Sequence, residues 1–433
     1  MSATTIGIIG IAALFILIFS RMPVGFLMAL IGFVGFGSIV SFDASLNLLA
    51  KDVFSVFGSY SLTVIPLFVF MGQLAFHSGI SSRLFDSAYK FIGNLPGGLA
   101  IATIGACAAF AAICGSTNAT AATMASATLP EMKRYNYKPE LATGVVAAGG
   151  SLGILIPPSV IFIVYGILTE QSIGELFMAG ILPGILLTSL MVVSILIWTS
   201  LRPELGPRGP KTSWKEKIAS LSGVIETLII FILVMGGLFG GIFTPTEAGA
   251  VGAFSTLMVA IIKRNLTWDG FISALFETTR TSCMILVIVA GATIFGHFLA
   301  VSRIPYDIAS WISSIQLPAA VIMSLIIFVY FVGGCFIDSL ALIMLTIPIF
   351  YPVVLQFGYD PIWFGVIIVL VTQIGVITPP VGVNVYVVSG VARDVPLNVI
   401  FKGVIPMLIA MLITTFLLIP FPQIALFLPG LLK

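Results

Sequence analysis

Stretches long enough to cross a bilayer and nearly free of charge recur along this chain, and that recurrence restricts its fold more than any other feature. They fall at 5–20, 23–41, 60–79, 141–169, 176–201, 221–243, 246–262, 281–302, 361–390 and 403–430, ten candidate spans. In lipid each backbone N–H and C=O must be satisfied inside its own segment, so apolar runs of this length predict helices. A soluble fold would need a charged exterior. Only 8% of the 433 residues are charged and 59% are hydrophobic, against about 25% charged in a soluble domain. The expected fold is therefore an all-α polytopic membrane protein, with lipid as its main neighbour. The net charge of +2 points to no partner, and no basic run marks a nucleic-acid surface. The first helix begins near Ile6 with no basic residue before it and no small-residue cleavage site, so it reads as a retained span. Cys107, Cys114, Cys283 and Cys335 lack metal-ligand spacing and are expected to be buried free thiols.

Two pairs of segments depart from the pattern: 97–114 with 116–130, and 318–336 with 339–352. The second arm of each pair is short for a full crossing. The turns between the arms, Gly115-Ser116-Thr117-Asn118 and Gly333-Gly334-Cys335-Phe336-Ile337-Asp338, are glycine-rich and polar. Such backbone survives at membrane depth only where protein or a wet cavity surrounds it, which predicts re-entrant hairpins. With the N-terminus outside, sixteen of the nineteen lysines and arginines fall on the cytoplasmic side; only Lys51, Arg303 and Lys433 fall outside. That asymmetry predicts ten crossings with both termini periplasmic. Segments 82–95 and 305–317 mix charged and bulky apolar residues and read as amphipathic arms on the membrane surface.

One constant shift superposes the two halves of the chain. Leu95-Pro96 falls on Leu317-Pro318, opening the hairpins, and Pro130 falls on Pro352, closing them. Gly153 falls on Gly375, and Pro157-Pro158 on Pro379-Pro380. The charge-derived topology opens the first hairpin to the cytoplasm and the second to the outside, so the repeats are expected to be inverted. Inverted repeats with Gly/Pro-interrupted helices point to a transport site near the midplane.

The residues around the breaks suggest its chemistry. Consecutive prolines remove helical partners from nearby carbonyls, around 151–156 and 373–378. Freed carbonyls and hydroxyls suit a monovalent cation such as sodium. The expected sodium ligands are Ser116, Asn118, Ser151, Gly153, Ile156, Gly334, Asp338, Thr372, Gly375 and Thr378. Helices restarting at Pro158 and Pro380 would present positive ends to an anion, with Thr117, Pro157, Gln373, Pro379 and Asn384 as expected substrate contacts. Asp338 is the one charge between Asp307 and Asp360; it reads as a helix cap, an ion-linked carboxylate, or both. Thr244 and Glu247 have capping-box spacing. Glu226 is expected to face the bundle interior or a partner helix. His77 and His297 each stand alone, with no carboxylate at metal-ligand spacing.

With those residues in view, the chain resembles the large membrane subunit of the tripartite ATP-independent periplasmic (TRAP) transporters. The resemblance is carried by Gly115-Ser116-Thr117-Asn118 with Leu129-Pro130-Glu131-Met132, by 153–159, by 244–250, by 334–338 with Thr346-Ile347-Pro348, and by 375–384, and it runs nearly end to end. It implies sodium-driven uptake of an organic anion, a carboxylate or sulfonate. It also implies two partners, a periplasmic substrate-binding protein that delivers the anion and a small four-helix membrane subunit. No cofactor beyond sodium, no enzyme activity, and residence in a bacterial or archaeal inner membrane are implied as well. The family's elevator mechanism, carried over here, implies a transport domain of 97–200 (hairpin 97–132, broken helix 141–169) and 318–395 (hairpin 318–352, broken helix 361–390). Segments 1–96, 201–317 and 396–433 would form the scaffold. As the chain starts directly at its first span, no fused small subunit is expected.

Three other readings compete. A stand-alone sodium–dicarboxylate symporter of related architecture would need no binding protein. An intramembrane hydrolase would need a serine beside His77 or His297, and neither histidine lies in a tip or break. A passive channel fits two opposed hairpins less well than alternating access does. The residues do not separate a dicarboxylate from a sugar acid or a sulfonate.

Overall fold

The computed structural model describes residues 1–433 except 1, 19, 21, 210, 211, 315, 316, 432 and 433, and the side chains of 309, 312 and 313. Arg21, Lys211 and Lys433, used in the charge count, lie outside the described residues. The described chain is helical without strands. The first half runs α1 (Ala3–Ile18), α2 (Val24–Ile39), α3 (Phe42–Phe57), α4 (Val64–His77), α5 (Ile80–Ile92), α6 (Gly98–Cys114), α7 (Thr117–Arg134), α8 (Pro139–Gly150), α9 (Val160–Thr169) and α10 (Ile173–Leu201). The second runs α11 (Trp214–Phe239), α12 (Pro245–Ile262), α13 (Trp268–Ser302), α14 (Ile304–Ser314), α15 (Ala319–Gly334), α16 (Ser339–Gln356), α17 (Pro361–Val376), α18 (Val383–Val391), α19 (Leu397–Leu418) and α20 (Gln423–Gly430).

The shift that superposes the sequence halves also brings helix boundaries into register. Helices α7 and α16 start at 117 and 339 and end at 134 and 356; α8 and α17 start at 139 and 361; α9 and α18 end at 169 and 391. One pair differs in form: α3 and the segment through α4 meet at a 53° bend, whereas α13 is one helix of 35 residues. Packing exchanges partners between the halves, with α2 along α13, α4 along α12, α8 along α19, and α10 along α17. Gly144 and Gly403 let α8 and α19 touch backbone to backbone, as small residues do between membrane helices.

Six described helices (α10, α11, α12, α13, α16 and α19) are long and apolar enough to cross a bilayer, and the bent α3–α4 pair makes a seventh. Several expectations need correction. The second hairpin arms are 18 residues each and run through Pro130 and Pro352, which therefore do not close them; packed neighbours tolerate the lost bond. Residues 42–57, unassigned from sequence, form α3, and α13 begins at 268 rather than 281. Asp269, Glu277 and Arg280, which precede the expected span, lie within this helix. The last apolar stretch divides near Pro420 and Pro422 into α19 and α20. These two helices pack on α8, α10, α17 and α18. Cys107, Cys114 and Cys335 are buried free thiols, but Cys283 is exposed.

Polar contacts fasten the arms. Glu226 on α11 accepts from Arg83 on α5 at 3.1 Å and pairs with Lys263 at 2.9 Å. Thr4 on α1 donates to Asp307 on α14 at 3.0 Å. Thr244 and Glu247 form the expected capping box at the start of α12. His297 is not isolated: Asp52 on α3 lies 3.3 Å away.

Candidate functional site

Each hairpin turns at a capped helix start. In the first, Gly115 ends α6 in the left-handed region at φ +63°, and a side chain there would meet the Pro158 carbonyl oxygen at 2.8 Å. Ser116 then caps α7, its Oγ accepting from the Ala119 N–H at 3.4 Å. In the second, Asp338 caps α16, with Oδ1 accepting from the Leu340 N–H at 3.0 Å. Ser116 and Asp338 are equivalent positions of the repeat, so both tips direct a helix N-terminus inward. The capping reading of Asp338 therefore holds, and its side chain stays exposed to the cavity described below.

Each tip rests on the break that shares its half. A Cβ on Gly153 would stand 2.6 Å from the Ser116 carbonyl oxygen and 2.7 Å from Thr120 Oγ1. In the second half, a Cβ on Gly334 would approach the Thr372 carbonyl oxygen at 3.0 Å, and one on Gly375 would overlap the Gly334 backbone. The chain takes a 3-10 turn at Ser151–Ile154 before the cis Pro157–Pro158 bond, and Pro379–Pro380 is also cis. Helix restarts at Val160 behind the cap Ser159, and at Val383, rather than at the prolines.

Gln373 joins the two tips. Thr117 Oγ1 donates to Gln373 Oε1 at 3.0 Å, and Gln373 Nε2 donates to Ser339 Oγ at 3.0 Å. Thr117 and Ser339 are the first residues of α7 and α16 and match each other in the repeat; all three side chains are buried.

A cavity of about 550 Å³ opens beside this bridge. Ser116, Thr117 and Asn118 line it from the first tip, Asp338 and Ser339 from the second, and Ile154, Val160, Gln373 and Val376 from the broken helices. Two further helices close it. Helix α4 contributes Gly72, Gln73, Phe76 and His77; α13 contributes Ser273, Glu277, Thr281 and Ile285 at a spacing of four, one helical face. Among its lining residues the ionisable side chains are His77, Cys114, Glu277 and Asp338, with no lysine or arginine.

Of the fifteen expected site residues, Ser116, Thr117, Asn118, Asp338 and Gln373 line this cavity. Gly153, Gly334, Thr372 and Gly375 lie one layer behind, where tip meets break. The others face elsewhere. Ser151 Oγ donates to the Ala148 carbonyl and contacts Met411 Sδ at 3.8 Å. Thr378 Oγ1 donates to the Ile374 carbonyl at 2.6 Å. Ile156 packs against Gly184, and Pro157 is buried while Pro379 is exposed, both off the cavity wall. Asn384 Nδ2 donates to the Ala147 carbonyl at 3.0 Å, fastening α18 to α8. Sequence reasoning missed the α4 and α13 wall. The four-residue spacing through Ser273, Glu277 and Thr281 was its available signal.

Residues 11–424 match the family model for the DctM component of tripartite ATP-independent periplasmic transporters. A C4-dicarboxylate TRAP transporter large permease protein of Pseudomonas aeruginosa is 36% identical over 387 residues, covering 89% of this chain and 90% of the relative. A sialic acid TRAP transporter large permease protein of Vibrio cholerae is 35% identical over 96% of both chains. An isethionate TRAP transporter permease protein of Oleidesulfovibrio alaskensis is 37% identical, covering 97% of this chain and 66% of the relative. Among solved structures, the YdaH transporter of Alcanivorax borkumensis shares the fold with a TM-score of 0.60 at 15% identity, covering 88% of this chain and 90% of that one.

Proposed function

Because the chain belongs to the DctM component family of tripartite ATP-independent periplasmic transporters, the large permeases, we propose that it drives sodium-coupled uptake of an organic anion by an elevator motion. The observation that carries this reading is the cavity bounded at once by two capped hairpin tips and by α4 and α13. The tips offer N–H groups and positive helix ends to a carboxylate or sulfonate. The tip-on-break contacts at Ser116–Gly153 and Gly334–Gly375 gather carbonyl oxygens suited to sodium. Sodium held there would stiffen the tips that meet the anion, which links the two ligands.

Helices α6–α10 and α15–α20 form the moving body, related by inverted repeats; the chain as a whole crosses the membrane ten times, with both termini periplasmic. Helices α1–α5 and α11–α14 form the scaffold. On the positive-inside reading His77 and the Ser273–Glu277 stretch lie at cytoplasmic helix ends, which supports an inward-open arrangement. A small four-helix membrane subunit and a periplasmic binding protein complete the system. C4-dicarboxylates, sialic acid and isethionate are the first substrates to try, since relatives are named for them.

Reconstitution tests this directly. Proteoliposomes holding the chain with the two partners encoded beside it should accumulate one of those anions when sodium is placed outside, and lose uptake when potassium replaces it. The chain alone should transport poorly. Full uptake without either partner would replace this reading with the stand-alone symporter.

A further inference from the structure

We infer that Glu277 is a release residue: its carboxylate weakens the hold on an anionic substrate only while the site faces the cytoplasm. This rests on the proposed anion transport and adds a role for the scaffold wall. Glu277 lies on α13 with Ser273 and Thr281 and lines the same cavity as both hairpin tips. A space of 550 Å³ is roughly 10 Å across, near a Debye length at physiological salt, so an anion at the tips feels this charge. Neutralisation within the wall is slight. Arg280 approaches Glu277 only to 3.9 Å with its own side chain 83% exposed, and it does not line the cavity. His77, on the α4 side, is the other ionisable group of this wall.

The asymmetry between the mouths gives the charge its direction. In the register that pairs Gly153 with Gly375, Glu277 corresponds to Ser55 on α3, and Ser273 to Lys51. Both Ser55 and Lys51 are exposed, while nearby Asp52 is turned to His297. By the repeat, the wall met outside would carry a hydroxyl and a lysine where the α13 wall carries a carboxylate and a hydroxyl. A charge encountered in one state alone lowers affinity in that state alone. It speeds release inward without changing the accumulation that the sodium gradient sets.

Binding of radiolabelled succinate, isethionate and N-acetylneuraminate in sodium, to inside-out and right-side-out vesicles, separates the outcomes. Glu277→Gln should lower Kd at the cytoplasmic face about three- to tenfold, the range for a screened charge pair at this distance. It should leave the outer face unchanged, and Glu277→Asp, which keeps the charge, should resemble the parent. Unchanged or weaker binding at the cytoplasmic face, or equal tightening at both faces, overturns the inference. If the parent chain binds none of the three probes, the anion-transport reading itself fails, and this one with it. Glu277 is half-exposed, with Arg280 its ion-pair neighbour, so folding does not hinge on it.

Discussion

Gly153→Ala is the sharpest probe of how the first hairpin tip is held. The added methyl would sit 2.6 Å from the Ser116 carbonyl oxygen, 2.9 Å from its carbon and 2.7 Å from Thr120 Oγ1. Two of those three atoms are backbone, so no rotamer change relieves them. Restoring ordinary contact needs the tip to withdraw by about 0.8 Å. Overpacking of this kind costs about 1–3 kcal/mol. Ion–oxygen distances tolerate only about 0.2 Å, so a site that uses this tip would lose most of its fit. If half of a strain of about 3 kcal/mol falls on the ion-bound form, half-saturating sodium rises about tenfold. The assay is sodium-dependent thermal stabilisation of the purified chain, alongside sodium-driven uptake. Gly105→Ala and Gly296→Ala serve as controls, because a Cβ at either meets nothing within 4 Å; relieved of glycine's entropy cost, they should be neutral or gain about 0.5–1 kcal/mol. If Gly153→Ala lowered stability but left the sodium dependence where the controls leave it, the tip-on-break contact would not be an ion site.

Three other outcomes are expected. Gln373→Met keeps the volume but strands the buried Thr117 hydroxyl, at a cost of about 1–3 kcal/mol; the sodium dependence of uptake should become less steep, and an unchanged Hill coefficient would show that the tips do not communicate through Gln373. Asp338→Asn preserves the cap, since Asn caps as well as Asp, so stability should hold while coupling to the driving ion falls; unaltered counterflow and ion dependence would leave Asp338 as a cap alone. Glu226→Gln breaks the pairs with Arg83 and Lys263, and because both partners keep some solvent access the loss should be about 1–2 kcal/mol of thermal stability, read by melting with sodium dependence unchanged.

The α4 and α13 wall of the cavity shows where reading by sequence stops. Apolar run length and charge placement are summed along the chain, so membrane residence, hairpin tips, the constant shift between the halves and the Thr244–Glu247 cap were all legible there. The cap at Asp338 was legible too, because a cap is written within three or four residues, whereas Ser116 was read only as a tip residue and its capping of α7 came from the structure. Gln373 was found as a polar residue near a break, but not as the bridge between Thr117 and Ser339, since its partners lie 256 and 34 residues away. His297 looked solitary for the same reason, with Asp52 on a helix far back in the chain. Chain order leaves the neighbours of α19 undetermined. The close approach of Gly403 to Gly144 decides that it packs with α8. The span expected at 281–302 leaves Glu277 outside, whereas the continuity of α13 carries it onto the cavity wall. Local sequence specifies which segments bend, cap and enter lipid; which side chains share a cavity depends on helices choosing partners across the whole chain, and only their packing settles that.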